Sequence, residues 1–245
     1  MDIKIPYTPR KHQAHLHRQI DKHRWNVLVC HRRFGKTVCM INHLIRSALL
    51  SKLNNPRFAY IAPTFKQAKS IAWDYMKQFT AKIPHTKFNE TELRVDLPNG
   101  SRITLLGSES PDGLRGIYLD GCVIDEYANV NSKLFPEIIR PALSDRKGYC
   151  VFIGTPMGMN NNFYELYQHA QGAEDWFNYK AKASDTKIVD NDELVKAKEV
   201  MGEKKYLQEF ECDWIANIEG AVYGDVIAKL DDDKQLTRVP YDPAL

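Results

Sequence analysis

"WNVLVCHRRFGKTVCMINHLIRSALL", residues 25–50, reads as a strand, a loop and a helix. The short apolar run "WNVLVC" (25–30) ends at a polar loop. Beyond it Val38, Ile41, Leu44, Ile45 and Ala48 recur at helical spacing to about Leu50. The loop closes on Gly35, Lys36 and Thr37, the last three positions of the phosphate-binding pattern G-x-x-x-x-G-K-[ST]. Where that pattern has its first glycine this chain has Cys30, and Arg32 and Arg33 stand in the middle. Lys36 is of a length to reach β- and γ-phosphates, and the Thr37 hydroxyl suits Mg²⁺. Backbone N–H groups at the helix start offer the partial positive charge an anion needs. A helix start that merely spells G-K-T has the same letters, so the loop is weighed with its surroundings.

Outward from this unit, strands and helices alternate. "RFAYIAP" (57–63) is a buried strand stopped by Pro63, and "FKQAKSIAWDYMKQF" is the next helix. "ELRVDL-PNG-SRITLLG" (92–107) alternates on both sides of a Pro-Asn-Gly turn and predicts a β-hairpin. After a Gly/Ser-rich loop come the strand "YLDGCVIDE" (118–126), helical "LFPEIIRPAL", the strand "GYCVFIGTP" (148–156) and a helix near 161–170. This order implies an α/β fold: a mostly parallel central sheet flanked by helices. Ligands of such sheets bind at the carboxyl ends of the strands. Three of those ends carry the polar and glycine-rich residues: Cys30 to Thr37, Asp125 to Glu126, and Gly154 to Pro156. After about residue 180 short charged helices suggest a small appended subdomain. The expected division is a core over 1–180, a small lid over 181–225 and a linker over 226–245.

The 245 residues suffice for one large domain, and 43% hydrophobic content is ordinary for a globular chain. No apolar run has the length of a membrane span, and no leader precedes the first strand, so a soluble intracellular protein is expected. The five cysteines, Cys30, Cys39, Cys122, Cys150 and Cys212, are scattered in apolar runs and suit buried free thiols. Net charge is +3, unevenly spread: "PRKHQAHLHRQIDKHR" (9–24) is strongly basic. Its histidines, His12, His15, His17 and His23, have no Cys or acidic companions at zinc spacing.

"CVIDE" gives the loop its meaning. A buried apolar strand that ends in two consecutive carboxylates has little structural reason to exist. Asp125 suits a Mg²⁺ ion, directly or through water, and Glu126 suits the general base that polarises an attacking water. Phosphoryl transfer also needs positive charge on its transition state, for which Arg32, Arg33 and Arg115 in "GLRG" are the candidates. A nucleoside-triphosphate-hydrolysing enzyme is the reading these residues support.

The set "HRRFGKT", "YIAPTFKQAKSIAW", "LRG", "VIDE" and "FIGTP", in this order, resembles the ATPase domain of the large terminase subunit of tailed bacteriophages, which packages DNA into proheads. The resemblance covers nearly the whole chain and implies a P-loop NTPase of the ASCE, RecA-like type. It implies a nucleotide cradle over Cys30, His31, Arg32, Arg33, Phe34, Gly35, Lys36 and Thr37 that tolerates the missing first glycine, with Arg32 at a place where the family has an arginine. Arg115 stands where an arginine is proposed to reach a neighbouring subunit's ATP. Gly154, Thr155 and Pro156 match the coupling motif that senses the γ-phosphate. "YTPRKHQ" resembles the adenine-recognition segment, with Gln13 reading the base edge and Tyr7 or Arg10 packing near it. The cofactors implied are ATP and Mg²⁺. The partners implied are double-stranded DNA, further copies in a ring of five on the portal, the portal protein and the small terminase subunit, with no membrane. The place of action implied is the host cytoplasm, docked on the procapsid. "VPYDPAL" resembles the approach to the first strand of the family's nuclease domain, so the expectation is a chain truncated before that domain and unable to cut DNA by itself.

Two other readings use the same residues. "APTFKQA" and "VIDEYA" also resemble helicase motifs, but such helicases need a second RecA-like domain, and nothing after residue 180 is long enough to be one. A nucleotide-gated module that binds without turnover has no use for Glu126 as a base. Sequence-independent DNA contact through phosphates is expected to weaken with salt. The exposed turn at Asn99 and Gly100 is a candidate for that contact.

Overall fold

The computed structural model of the protein describes residues 5–215. The opening unit folds as its pattern predicts. α1 (Lys11–Ile20) leads to β1 (Trp25–Cys30), and α2 (Lys36–Leu50) follows the loop before β2 (Arg57–Ala62). The helix expected next runs from α3 (Phe65–Ala68) through a π-helical turn (Lys69–Trp73) into α4 (Asp74–Thr80). Thr64 and Gln67 begin it with a reciprocal capping box. A short edge strand β3 (Lys87–Asn89) precedes the expected hairpin of β4 (Arg94–Asp96) and β5 (Arg102–Gly107).

A 3₁₀ turn (Pro111–Leu114) leads to β6 (Gly121–Ile124), then a π-helical stretch (Leu134–Ile139) continues into α5 (Arg140–Ala142). β7 (Tyr149–Gly154), α6 (Asn162–Gln171) and β8 (Trp176–Ala181) complete the core. Three helices come last: α7 (Ala183–Thr186), α8 (Asn191–Met201) and α9 (Glu203–Phe210). β6 is shorter than the run 118–126 because its entrance serves other partners. The Asp120 carboxylate accepts from Arg57 N–H at 2.7 Å and pairs with Arg146, while Leu119 N–H turns to Ala142 O. β3 and β8 have no counterpart in the expected pattern.

Among the described residues the strands form one eight-stranded sheet, in the order β3-β4-β5-β2-β6-β7-β1-β8. From β5 to β8 every neighbour pair is parallel. Such strands are covered on both faces, which explains why β1 is buried throughout. With a side-chain period of two, Leu28 and Cys30 join Tyr60, Val123 and Ile153 under α1, α2 and α4. Val27 and Val29 join Ile61, Ile124 and Phe152 under the Leu134–Ile139 stretch and α6 on the other face.

The five cysteines are free and buried, as expected. Past Ala181 the chain builds a small cluster of its own around Ala183, Leu194 and Phe210, and then returns Cys212 and Trp214 to the main core. The expected lid is thus described only as far as residue 215, and the expected linker over 226–245 lies outside the described residues. No helix of the described residues is long and apolar enough to cross a membrane.

Candidate active site

β6, β7 and β1 are adjacent and parallel, so their carboxyl ends deliver three loops to one edge of the sheet: Asp125–Glu126, Gly154–Pro156 and residues 31–35. The residues picked from sequence at these ends are therefore brought together.

The loop's missing glycine has a backbone explanation. Cys30 is the last residue of β1, buried, and does not have a positive φ. The left-handed positions are Arg33 (φ 69°) and Gly35 (φ 87°). Gly35 also meets α1 closely, since a Cβ there would lie 2.9 Å from Gln13 Nε2. Three side chains of the loop turn inward as anchors. Cys30 and Phe34 enter the core, the latter edge-on to His31. His31 is fully buried, with Nδ1 2.6 Å from Arg32 O and Nε2 2.7 Å from Thr186 Oγ1. A carbonyl only accepts, so Nδ1 carries the proton and Nε2 accepts from Thr186. Burial pushes the His31 pKa down, in keeping with that neutral ring. Arg32 and Arg33 stay exposed.

The amides of the loop divide in two. His31 N–H donates to Ala181 O (3.0 Å) and Arg32 N–H to Glu209 O (2.8 Å), so α9 and β8 hold the loop's entrance. The first backbone bond of α2 is Cys39 N–H to Gly35 O. Among the described residues the N–H groups of Gly35, Lys36 and Thr37 have no protein acceptor. These are the orphan donors of a helix start, at the positive end of a 15-residue helix with no acid in its first turn. Lys36 Nζ lies in the loop's concavity, donating to Cys30 O at 3.0 Å and His31 O at 3.4 Å. Free amides and an ammonium in one concavity can cradle an anion.

Facing it, Asp125 is buried and its carboxylate is held on both sides. Oδ1 accepts from Glu126 N–H at 2.9 Å, and Oδ2 accepts a short hydrogen bond from Tyr60. Burial raises its pKa, opposed by the Tyr60 bond and the charge of Lys36. Glu126 adopts left-handed backbone (φ 47°). Its pKa is raised by burial and then by Asp125, with Lys36 opposing. The buried Asp125 carboxylate and the Thr37 hydroxyl at the start of α2 are hard oxygen donors of the kind that suit Mg²⁺.

Residues that sequence reasoning missed complete the site. Gln208 of α9, buried, donates its amide to Pro156 O at 2.5 Å. Glu209 lies 3.6 Å from Arg32 Nη1 and 3.3 Å from Lys205. Neither announces itself in a charged helix, whereas Tyr60 has a signal, one hydroxyl in an otherwise apolar strand.

The expected adenine segment is differently engaged. Gln13 is buried, with Oε1 accepting from Arg10 N–H (2.9 Å) and Nε2 donating to Gly35 O (3.2 Å). It is a strut between α1 and the loop, and reading a base edge requires its release. Arg10 donates to Phe34 O at 3.4 Å, and the Tyr7 hydroxyl meets His17 at 3.0 Å. Arg115 makes its ion pairs outside the loop. It is exposed, paired with Asp112 at 2.8 Å and Glu137 at 3.8 Å. Asn99 keeps its turn pinned to the end of α2 through Ala48 O at 2.9 Å.

Comparison with known proteins adds the family. Residues 29–224 match the family model "Terminase large subunit, T4likevirus-type, N-terminal". The chain belongs to the terminase large-subunit family. Among curated relatives, the terminase large subunits of Thermus phage G20c and Thermus virus P23-45 are each 30% identical over 126 residues. Those matches cover 44% of this chain and 26% of each relative, so the chain spans only part of the proteins it resembles.

Among solved structures, the large-terminase ATPase domain of Thermus phage P74-26 superposes with a TM-score of 0.73 at 22% identity, over 86% of this chain and 95% of that one. The large terminase of a thermophilic bacteriophage, solved in complex with ADP, gives 0.72 at 16% identity, over 83% and 53%. That of bacteriophage HK97 gives 0.62 at 13%, over 95% and 50%. These likenesses establish that the terminase chain has the RecA-like fold of large-terminase ATPase domains, as the resemblance implied.

Proposed function

We propose that this terminase chain is a Mg²⁺-dependent ATPase whose turnover drives translocation of double-stranded DNA into a procapsid. The observation that carries the proposal is a cradle with unspent amides, Lys36 and Thr37 after β1, at the same sheet edge as the Asp125–Glu126 pair after β6, with β7 between the two strands. The phosphates take the amides of Gly35 to Thr37, and the Lys36 ammonium exchanges its two carbonyl acceptors for phosphate oxygens. Thr37 and Asp125 would hold the Mg²⁺, which when bound neutralises phosphate charge. Glu126 accepts the proton of the attacking water, a role its raised pKa suits. Arg32 and Arg33 border the loop, and Arg32 is placed to exchange Glu209 for the transferring phosphate. The nucleoside end is assigned to Tyr7, Arg10 and Gln13, and the γ-phosphate response to Gly154, Thr155 and Pro156.

Arg115, exposed and paired with Asp112 and Glu137, is assigned to the ATP of a neighbouring copy in a ring, five on the portal. The portal protein and the small terminase subunit are the further partners, in the host cytoplasm. The test is phosphate release by the wild-type chain and by Glu126→Gln across a range of protein concentrations. Loss of a positioned general base is expected to slow turnover by about 10² to 10⁴ with ADP binding intact. Turnover at wild-type rate in Glu126→Gln would refute the assignment.

A further inference from the structure

We propose that Tyr60 is a positioning residue of the cation site, its hydroxyl fixing the Asp125 carboxylate at the end of β6. The inference rests on the nucleotide and Mg²⁺ reading above. β2 is an apolar strand inside the sheet, and Tyr60 is fully buried. Phenylalanine fills the same space without a polar group to satisfy, so the hydroxyl is explained by its partner. In register Tyr60 stands opposite Val123, and Asp125 follows two residues on, which puts it on the same face. From there the tyrosine hydroxyl donates to Asp125 Oδ2.

Asp125 is fixed on its other sides as well, its N–H bonded to Ile61 O at 2.7 Å and Oδ1 to Glu126 N–H. β2 thus aims the Asp125 carboxylate from outside the motif that supplies it.

The test follows the Mg²⁺ dependence of nucleotide binding, not turnover. Binding of a fluorescent ADP analogue is titrated in EDTA and then against Mg²⁺ for wild type, Tyr60→Phe and Asp125→Asn, with melting temperatures alongside. Loss of an outer partner of a metal-holding carboxylate typically costs about 10-fold or more in metal affinity. Tyr60→Phe is therefore expected to raise the Mg²⁺ midpoint about tenfold while its EDTA affinity stays that of wild type. A lowered melting temperature with an unmoved midpoint would make Tyr60 a packing residue and overturn the proposal. An unmoved midpoint in Asp125→Asn would remove the cation reading itself, and the proposal with it. Should Tyr60→Phe fail to fold, Tyr60→Met, which fills the core without a hydroxyl, decides by the same midpoint.

Discussion

Replacing Gly35 by alanine tests the geometry of the loop in numbers. Its φ of 87° and ψ of 33° are left-handed, which costs a residue with a Cβ about 1–2 kcal/mol. The new Cβ would also stand 2.9 Å from Gln13 Nε2, inside any ordinary contact, so the amide must retreat. Retreat breaks the Gln13 bond to Gly35 O, and a neutral hydrogen bond is worth about 1 kcal/mol. Gly35→Ala is therefore expected to destabilise the fold by about 2–3 kcal/mol, the sum of these strain and contact contributions.

The two contributions separate in a double-mutant cycle. In a Gln13→Ala background the contact is already gone, and Gly35→Ala should cost only the strain, about 1–2 kcal/mol. Urea unfolding followed by circular dichroism measures all four proteins. A coupling of about 1 kcal/mol between the sites is the expected result. Equal costs in both backgrounds would refute the contact, and a cost under about 0.5 kcal/mol in both would refute the left-handed backbone.

Other outcomes follow from the same contacts. Gln208→Ala leaves the buried Pro156 carbonyl without its donor and should cost about 1–3 kcal/mol in the same unfolding assay, whereas Glu209→Gln, facing the exposed Arg32, should cost under about 1 kcal/mol. Mixing Arg115→Ala with Glu126→Gln protein should restore phosphate release that neither shows alone, and no recovery would count against a shared site. Burial pushes His17 down to about 4 and His43 to about 3, from 6.5. The unfolded chain then binds the extra protons, so stability is full above pH 6.5 and falls as the pH drops toward 4, read as a shrinking urea midpoint that His43→Gln should flatten. The five buried thiols should resist a thiol reagent in the native protein and all react in denaturant.

How much of this was legible in the sequence depends on how local the signal was. The β1, loop and α2 unit was readable because the apolar period changes at the loop, and the turn residues around Gly100 marked the hairpin. The three polar strand ends that meet at one edge were readable because polar residues close otherwise apolar runs. β8 was not, since "WFNYKA" is partly buried along most of its length and its aromatics mix with polar residues, leaving neither alternation nor an apolar run. Which strands neighbour one another was likewise invisible. The adjacency of β6, β7 and β1 comes from how the crossovers pack. Contacts far apart in sequence carried no signal: Tyr60 meets Asp125 across 65 positions, and Gln208 meets Pro156 across 52.

The cysteine at the loop's entrance joins these two kinds of information. A glycine-rich phosphate loop gets its shape from residues free to adopt any φ, at a conformational-entropy cost on folding. This loop has glycine only at position 35, and its shape is imposed from outside: by Gln13 and Arg10 on Gly35 and Phe34, by Ala181 and Thr186 on His31, and by Glu209 on Arg32. The struts on His31 and Arg32 take up the N–H groups that point away from the cradle and leave those of Gly35 to Thr37 unspent. The departure from the consensus at Cys30 is therefore compensated by α1, β8, α7 and α9, elements that no reading confined to the loop could connect to it. A loop shaped this way also ties the cradle mechanically to α9, so displacement of either should register in the other.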